Sequence, residues 1–220
     1  MITNRFSDII DNLNEYTFHI LGCGAIGSST AIQLARTGAD NFCLYDFDKV
    51  EEANIGVSQY YGEDIGEYKV DALKRHILNI EELAIVNTFC SKFDEYHHQN
   101  KNDIAILGFD SMESRLDAVK ALCIDKQFMP QCIIDGRMGA EHYQQYTIVK
   151  PTITKYKKVW YSDGQGSQEP CNAKATSYCS NMSGSFIVNT VRKLVTKQPY
   201  HKELSFHFPT MLIEKSKMIS

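Results

Sequence analysis

Apolar residues along the chain form two kinds of pattern, short continuous runs and positions spaced three or four residues apart. Short apolar runs bounded by glycine or polar residues are typical of buried strands, and the wider spacing is typical of amphipathic helices. Strands are predicted at Thr17–Leu21, Asn41–Tyr45, Ile85–Cys90, Asp103–Gly108 and Cys132–Asp135. Helices are predicted between them at Ser28–Thr37, Tyr68–Asn79 and Ser114–Lys126. This alternation indicates a parallel sheet with helices on both faces.

The pattern changes in the last third of the chain. Polar and apolar residues alternate from Gly139 to Pro151, which predicts antiparallel strands at one side of the sheet. A long helix is predicted at Tyr178–Thr196 and a last strand at Leu204–Ile213. We therefore predict an α/β fold: a Rossmann-like, doubly wound, mostly parallel sheet with antiparallel strands added in the C-terminal third.

Composition narrows the class of protein. The chain has 220 residues, 43% of them hydrophobic, which is enough for one sizeable core. A net charge of −4 argues against a nucleic-acid partner, because such partners attract basic surfaces. The sequence shows no signal-peptide pattern and no apolar run of about 18 residues, so we expect a cytoplasmic protein without a membrane partner. Its seven cysteines include no Cys-x-x-Cys pair, so we expect no structural zinc.

A glycine-rich turn, Gly22-Cys-Gly-Ala-Ile-Gly27, follows the first predicted strand and opens the first helix. The first glycine permits a tight turn, the second lets phosphate or ribose approach the backbone, and the third allows close packing of helix on strand. Asp46 ends the second strand, where a carboxylate can accept hydrogen bonds from both ribose hydroxyls. The pattern predicts a nucleotide site; a tight turn without a ligand is the alternative. The candidate residues in the turn are Gly22, Gly24, Ala25, Ile26 and Gly27.

Three further blocks of sequence resemble one known family. Residues 46–54 read DFDKVEEAN and resemble a D-x-D-x-V-x-x-x-N stretch, and residues 64–69 read DIGEYK and are similar to a D-I-G-x-x-K segment. Residues 110–115, DSMESR, resemble a D-x-x-x-x-R block. All three patterns are those of the ubiquitin-activating-enzyme-like adenylyltransferases, the ThiF/MoeB/HesA family. The blocks of this chain keep the family's order and approximate spacing.

The resemblance implies a function and an organisation. It implies ATP- and Mg²⁺-dependent adenylation of the C-terminal carboxylate of a ubiquitin-like or sulfur-carrier protein, by an enzyme that forms homodimers. We expect a single adenylation domain over residues 1–220. Within it, residues 1–150 would be the nucleotide-binding core, 151–177 a crossover or flap, and 178–220 a C-terminal helix and strand.

Two charged residues carry most of the implied chemistry. Lys69 lies in the first turn of a predicted helix, from which its amine can reach the triphosphate. Asp110 follows a strand at the sheet edge where α/β proteins bind ligands, so its carboxylate can hold Mg²⁺. Each has a structural alternative: Lys69 could be a solvated helix residue, and Asp110 could cap the following helix.

Other candidates come with the same blocks. Arg115 is a third catalytic candidate, whose alternative is a surface salt bridge. Asp48 and Asn54 are candidate nucleotide ligands that could instead shape their loop through bonds to the backbone. Asp135-Gly-Arg137-Met-Gly139, at a strand end, could guide a carboxyl-terminal tail or form a turn built on its two glycines.

The sequence departs from the family at one position and leaves one step open. Val57 stands where the family usually carries an arginine, and losing such a phosphate contact should weaken ATP binding about ten- to a hundredfold unless another base replaces it. Arg5, from the same chain or across a dimer interface, is the candidate replacement. Cys171, in a polar glycine-containing segment near Lys174, is the candidate nucleophile for a thioester step.

Other functions fit part of the pattern. The same superfamily includes enzymes that activate small or tRNA-borne carboxylates, as in threonylcarbamoyladenosine dehydration, although the acidic balance argues against RNA. A nicotinamide-dependent oxidoreductase shares the glycine turn, but it has no use for the DIGEYK and DSMESR blocks. A non-catalytic protein that kept the fold is a further alternative, favoured by Val57.

Overall fold

A computed structural model of the chain describes residues 6–165 and 175–219. Within these ranges, eight strands form one sheet in the order β3-β2-β1-β4-β5-β6-β8-β9, and β7 pairs with β10 separately. In chain order the strands are β1 (Thr17–Leu21), β2 (Asn41–Tyr45), β3 (Ile85–Phe89), β4 (Asp103–Leu107), β5 (Cys132–Gly139), β6 (His142–Val149), β7 (Tyr200–His201), β8 (Glu203–His207), β9 (Leu212–Lys215) and β10 (Met218–Ile219).

The sheet is parallel in its first half and antiparallel in its second. Strands β3, β2, β1, β4 and β5 run parallel, so that Ile20 lies opposite both Leu44 and Ile106. Strands β6, β8 and β9 extend the sheet beyond β5, and each is antiparallel to the strand before it in the sheet. Both β1 and β4 are buried along their whole length, as continuous apolar strands under two helical layers should be. The predicted fold class is confirmed.

Helices cover both faces of the sheet. They are α1 (Ala25–Arg36), α2 (Glu52–Ile55), α3 (Lys69–Ile80), α4 (Met112–Leu122), α5 (Ile153–Tyr156) and α6 (Ser177–Val195). Apolar residues of α1, α3 and α6 form one core on one face of the sheet, and those of α4 and α5 form another on the opposite face. No helix within the described ranges is long and apolar enough to cross a membrane.

Some predicted boundaries are wrong for local reasons. Helix α1 begins at Ala25 instead of Ser28, because Gly24 is its N-cap. Helix α4 begins at Met112, since the Ser111 side chain accepts a hydrogen bond from the Ser114 amide and caps it, and α4 ends at Leu122 instead of Lys126.

Two predictions about strands also need correction. The last predicted strand is two antiparallel strands, β8 and β9, because Met211 adopts a left-handed conformation with φ of 54° and reverses the chain. The predicted strand Cys132–Asp135 continues to Gly139.

Of the predicted crossover at residues 151–177, the first part forms α5, and residues 166–174 lie outside the described residues.

The packing of α1 on α6 depends on a glycine. A Cβ at Gly184 of α6 would overlap the Ser29 hydroxyl and lie 2.6 Å from the Gln33 amide nitrogen. The Gln33 side chain donates a hydrogen bond to the carbonyl of Asn181, and that of Ser185 donates one to Gln33. The two helices therefore approach closely through small residues and are joined by polar bonds at the contact.

We expect Gly184→Ala to destabilise the fold by about 1–3 kcal/mol, because an added methyl forces α1 and α6 apart. Chemical denaturation measures the change in the free energy of unfolding. Gly56→Ala is the matched control, since a Cβ at Gly56 meets no atom within 4 Å. Equal stability of the two variants would contradict the close packing.

Candidate functional site

A cleft of about 1770 Å³ opens at the carboxyl ends of the parallel strands. Ligands of α/β proteins bind at this edge, where the loops that follow the strands meet. Of the nucleotide-binding and catalytic candidates within the described ranges, all line the cleft except Gly27 and Asn54. The predicted residues in its wall are Gly22, Gly24, Ala25, Ile26, Asp46, Asp48, Lys69, Asp110 and Arg115.

The three glycines of the turn have different surroundings. Gly22 has a φ of +89°, and a Cβ there would lie 2.9 Å from the carbonyl carbon of Gly108. A Cβ at Gly27 would overlap the carbonyl oxygen of Gly22, so the helix can rest on the turn only without a side chain. A Cβ at Gly24 meets no atom within 4 Å. The turn is therefore closed on its inner side and open toward the cleft.

Asp46 is fixed against this turn. One carboxylate oxygen accepts a hydrogen bond from the Cys23 amide at 2.8 Å, and the other accepts one from the Asp48 amide at 2.9 Å. Burial raises the pKa of Asp46, although the nearby Lys69 and these two amides favour the ionised form. The carboxylate is thus held in one orientation at the start of α1, and each oxygen retains a lone pair for a further donor.

Lys69 lies in the first turn of α3, as predicted, but it is not solvated. Its side chain is largely buried, and Nζ donates a hydrogen bond to Asp48 Oδ2 at 2.8 Å. Burial disfavours the ammonium form, but Asp48 and Asp46 outweigh burial and raise the pKa of Lys69. Lys69 therefore stays positively charged at the wall of the cleft.

Asn54 lies outside the cleft. Its side-chain oxygen accepts a hydrogen bond from the Glu51 amide at 2.9 Å, and Glu51 in return caps α2. The loop-shaping alternative accounts for this residue. Asp110, by contrast, is exposed at the cleft wall, and the cap of α4 is supplied by Ser111 instead.

Arg115 is buried, so the surface salt bridge considered for it is wrong. Its guanidinium donates hydrogen bonds to the Phe109 carbonyl, to the Gly136 carbonyl at 2.9 Å and to the Asp135 carboxylate. It therefore fastens the loop that carries Asp110 to strand β5. Arg115 thereby stabilises the position of the loop that carries Asp110.

Asp135 is the centre of a larger cluster that sequence reasoning did not assign. Besides Arg115, it binds Nε and Nη2 of Arg137 at 3.0 and 2.7 Å and accepts a hydrogen bond from the Tyr156 hydroxyl at 3.0 Å. The ring centroids of Tyr146 and Tyr161 lie 4.4 and 5.0 Å from the Arg137 guanidinium. The turn considered for residues 135–139 is wrong, because this segment is the end of β5.

The segment after α5 fixes the start of α4. The Trp160 indole donates a hydrogen bond to the Met112 carbonyl at 2.7 Å, and the Asp163 carboxylate accepts one from the Met112 amide at 3.0 Å. Arg137 adds a bond to the Val159 carbonyl at 2.9 Å. These contacts hold the turn next to Asp110, and they join residues too far apart in sequence for a local pattern to indicate them.

Several predicted features cannot be placed. Cys171, Lys174 and Arg5 lie outside the described residues, so the thioester step and the replacement for the missing arginine remain predictions. Among the residues that the structure describes, no group of three or more His, Cys, Asp or Glu side chains forms a metal cage.

Comparison with known proteins shows the family to which the chain belongs. The family model described as "ThiF family" matches residues 3–218. "Ubiquitin-like modifier-activating enzyme 5" of Arabidopsis thaliana is 24% identical over 165 residues, which cover 71% of this chain and 34% of that protein. The protein of that name from Caenorhabditis elegans is 28% identical over 229 residues, 90% of this chain and 54% of its own.

A solved structure shares the fold. The crystal structure of E. coli MccB with ATP superposes with a TM-score of 0.72 at 19% identity, covering 96% of this chain and 66% of that one. The present chain thus spans 34% and 54% of the length of the two curated relatives.

Replacing Asp135 by Asn should destabilise the fold by about 3–5 kcal/mol, because two buried guanidiniums lose their shared counter-charge. Urea unfolding measures this change. Asp117→Asn, which removes an exposed partner of Lys120, is the control and should cost less than about 1 kcal/mol. A loss at Asp135 as small as that of the control would show that the cluster is not a structural centre.

Proposed function

The chain belongs to the ThiF family, and from this premise we propose that it uses ATP and Mg²⁺ to adenylate the C-terminal carboxylate of a ubiquitin-like or sulfur-carrier protein. One observation carries the proposal: the open glycine turn, Asp46, Lys69 and Asp110 all line a single cleft. Together they offer backbone amides, a ribose acceptor, a cation and a metal ligand.

The nucleotide would be held by groups that are already in place. The first amides of α1 point from a helix N-terminus, which favours phosphate, and the open space at Gly24 allows phosphate to approach them. Asp46 would accept hydrogen bonds from the ribose hydroxyls with the lone pairs left free by its two amide donors. Lys69, kept charged by Asp48, would neutralise part of the triphosphate.

The acidic residues of the cleft fit a magnesium ion. Acidic side chains in its wall outnumber basic ones, so a polyphosphate needs an additional cation there. Mg²⁺ binds through one or two carboxylates together with waters and substrate phosphates, and it does not need a complete cage of protein ligands. Asp110, exposed in the cleft, suits that role. Mg²⁺ would neutralise phosphate charge.

The reaction requires positioning more than covalent help from the protein. A carboxylate oxygen of the substrate attacks the α-phosphorus of ATP, the bond from that phosphorus to the bridging oxygen breaks, and pyrophosphate leaves. Holding the two reactants in line and neutralising phosphate charge account for most of the acceleration in such a step. The contacts of Arg115 and Trp160 keep the Asp110 loop in place for this purpose.

The choice of substrate rests on the relatives. Two of them are named as activating enzymes of ubiquitin-like modifiers, which supports a protein carboxylate as the acceptor of AMP. We further propose that the chain acts as a homodimer in the cytoplasm, with residues 1–150 as its nucleotide-binding core. A thioester on Cys171 would follow adenylation where the pathway requires transfer.

ATP–pyrophosphate exchange, measured with candidate ubiquitin-like proteins, tests the function. We expect exchange in the wild type and a decrease of about a hundredfold or more in Lys69→Met and in Asp110→Asn, because each removes charge stabilisation from the transferred phosphate. Lys74→Met on the same helix and Asp125→Asn outside the cleft are the matched controls and should keep wild-type rates.

Exchange that survives both cleft substitutions would contradict the site. A chain that binds NADH at micromolar concentration but not ATP would instead support the oxidoreductase alternative.

A further inference from the structure

We propose that Asp64 is a positioning residue of the nucleotide site. It acts through the loop between α2 and α3 and fixes the position of Lys69 relative to Asp48. The inference rests on the proposed function, because it concerns how the same cleft binds ATP. We call Asp64 and its donors, the Tyr61 amide, Arg75 and His76, the Asp64 clamp.

The clamp is a buried carboxylate with three donors. Asp64 is fully buried and accepts hydrogen bonds from the Tyr61 amide at 2.6 Å, Arg75 Nη2 at 2.6 Å and His76 Nε2 at 2.8 Å. Burial opposes its ionisation, but the Tyr61 amide, His76 and Arg75 prevail and lower the pKa of Asp64. A buried charge is stable only with such partners, so the loop must stay where Arg75 and His76 of α3 can reach it.

The segment that follows the clamp leads directly to the cleft. The Gly66 amide donates to the Val50 carbonyl at 2.9 Å, and the Val50 amide donates to the Glu67 carbonyl at 2.8 Å. The Lys69 amide then donates to the Asp48 carbonyl at 2.9 Å. These bonds form a short ladder that fixes the backbone of Asp48 against that of Lys69. The ion pair in the cleft wall is therefore set by the position of residues 64–69.

The clamp closes a ring of covalent and polar links. From Asp64 the chain runs through the ladder to Lys69, along the first two turns of α3 to His76, and back to Asp64 through a hydrogen bond. The loop that carries the clamp contributes little apolar burial, since Tyr61, Ile65 and Tyr68 are exposed. The residues on either side, Tyr60 before the loop and Val70 after it, are buried. Loss of the clamp should therefore loosen residues 61–68 while leaving the core folded.

Nearby carboxylates provide a matched control. Glu63 lies beside Asp64 in sequence and pairs with the same Arg75, but at 3.4 Å and with an exposed side chain. An exposed pair of this kind contributes little. Glu63→Gln thus removes one negative charge from the same place without opening the clamp.

A double-mutant cycle on ATP affinity tests the proposal. Isothermal titration with Mg²⁺-ATP would compare the wild type, Asp64→Asn, Lys69→Gln and the double variant. We expect Asp64→Asn to weaken binding about tenfold, in line with the loss of charged hydrogen bonds, and Glu63→Gln to change it less than twofold. In the Lys69→Gln background, Asp64→Asn should weaken ATP binding by less than a further twofold, because the effect of Asp64 passes through Lys69.

Each other outcome has a defined meaning. If the loss of ATP affinity in the double variant equals the product of the losses in the two single variants, positioning through Lys69 is contradicted. Asp64 is then a stabilising residue only. If Asp64→Asn does not fold, Arg75→Gln takes its place in the same cycle. A wild-type chain that does not bind ATP contradicts the proposed function; hydrogen exchange over residues 61–68 then tests the clamp. Faster exchange in Asp64→Asn than in Glu63→Gln supports the clamp, and equal exchange contradicts it.

Discussion

The direct contact between the backbones of Gly22 and Gly27 determines where everything else in the cleft lies. A side chain on Gly27 would overlap the Gly22 carbonyl oxygen, and a Cβ on Gly108 would lie 3.0 Å from that same oxygen. Three glycines therefore bring the ends of β1 and β4 and the start of α1 to one point. Because β2 and β4 flank β1, Asp46 and Asp110 follow strands that end beside this point. The amides of α1 face the same space.

Three carboxylates, of which Asp64 and Asp135 are buried, fix the loops around that point. Asp46 holds the turn, and Asp64 holds the loop before α3. Asp135 joins α4 to β5 through Arg115 and also binds Arg137 on its own strand. A buried ion pair adds little net stability over an apolar contact, but breaking one is costly. Such pairs thus tolerate few alternative loop positions. This is an advantage in a site that must align two substrates, since small displacements reduce the rate strongly.

The sequence predicted the parts of the fold and site that depend on local patterns. The unit from Thr17 to Tyr45 was predictable because its strands, glycine turn and helix each leave a short-range signal. Only the bounds of α1 differ, mainly at its start. The split between β8 and β9 was not predictable, since Met211 is a non-glycine residue in a left-handed conformation.

Long-range contacts explain the remaining differences. Arg115 and Asp135 are 20 residues apart in sequence. Trp160 and Met112, which share a hydrogen bond, are 48 residues apart. No periodicity connects such positions, so the sequence motif identified Arg115 without its partner. Asn54 shows the opposite case: its motif suggested a nucleotide ligand, whereas its side chain caps α2.

The central claim is that this cleft binds ATP through the glycine turn and Asp46. A crystal structure of the chain with Mg²⁺ and a non-hydrolysable ATP analogue would test it most directly. We expect the ribose hydroxyls on Asp46, the phosphates at the first turn of α1 and the metal on Asp110. Analogue bound elsewhere, or an empty cleft at saturating analogue, would contradict the account.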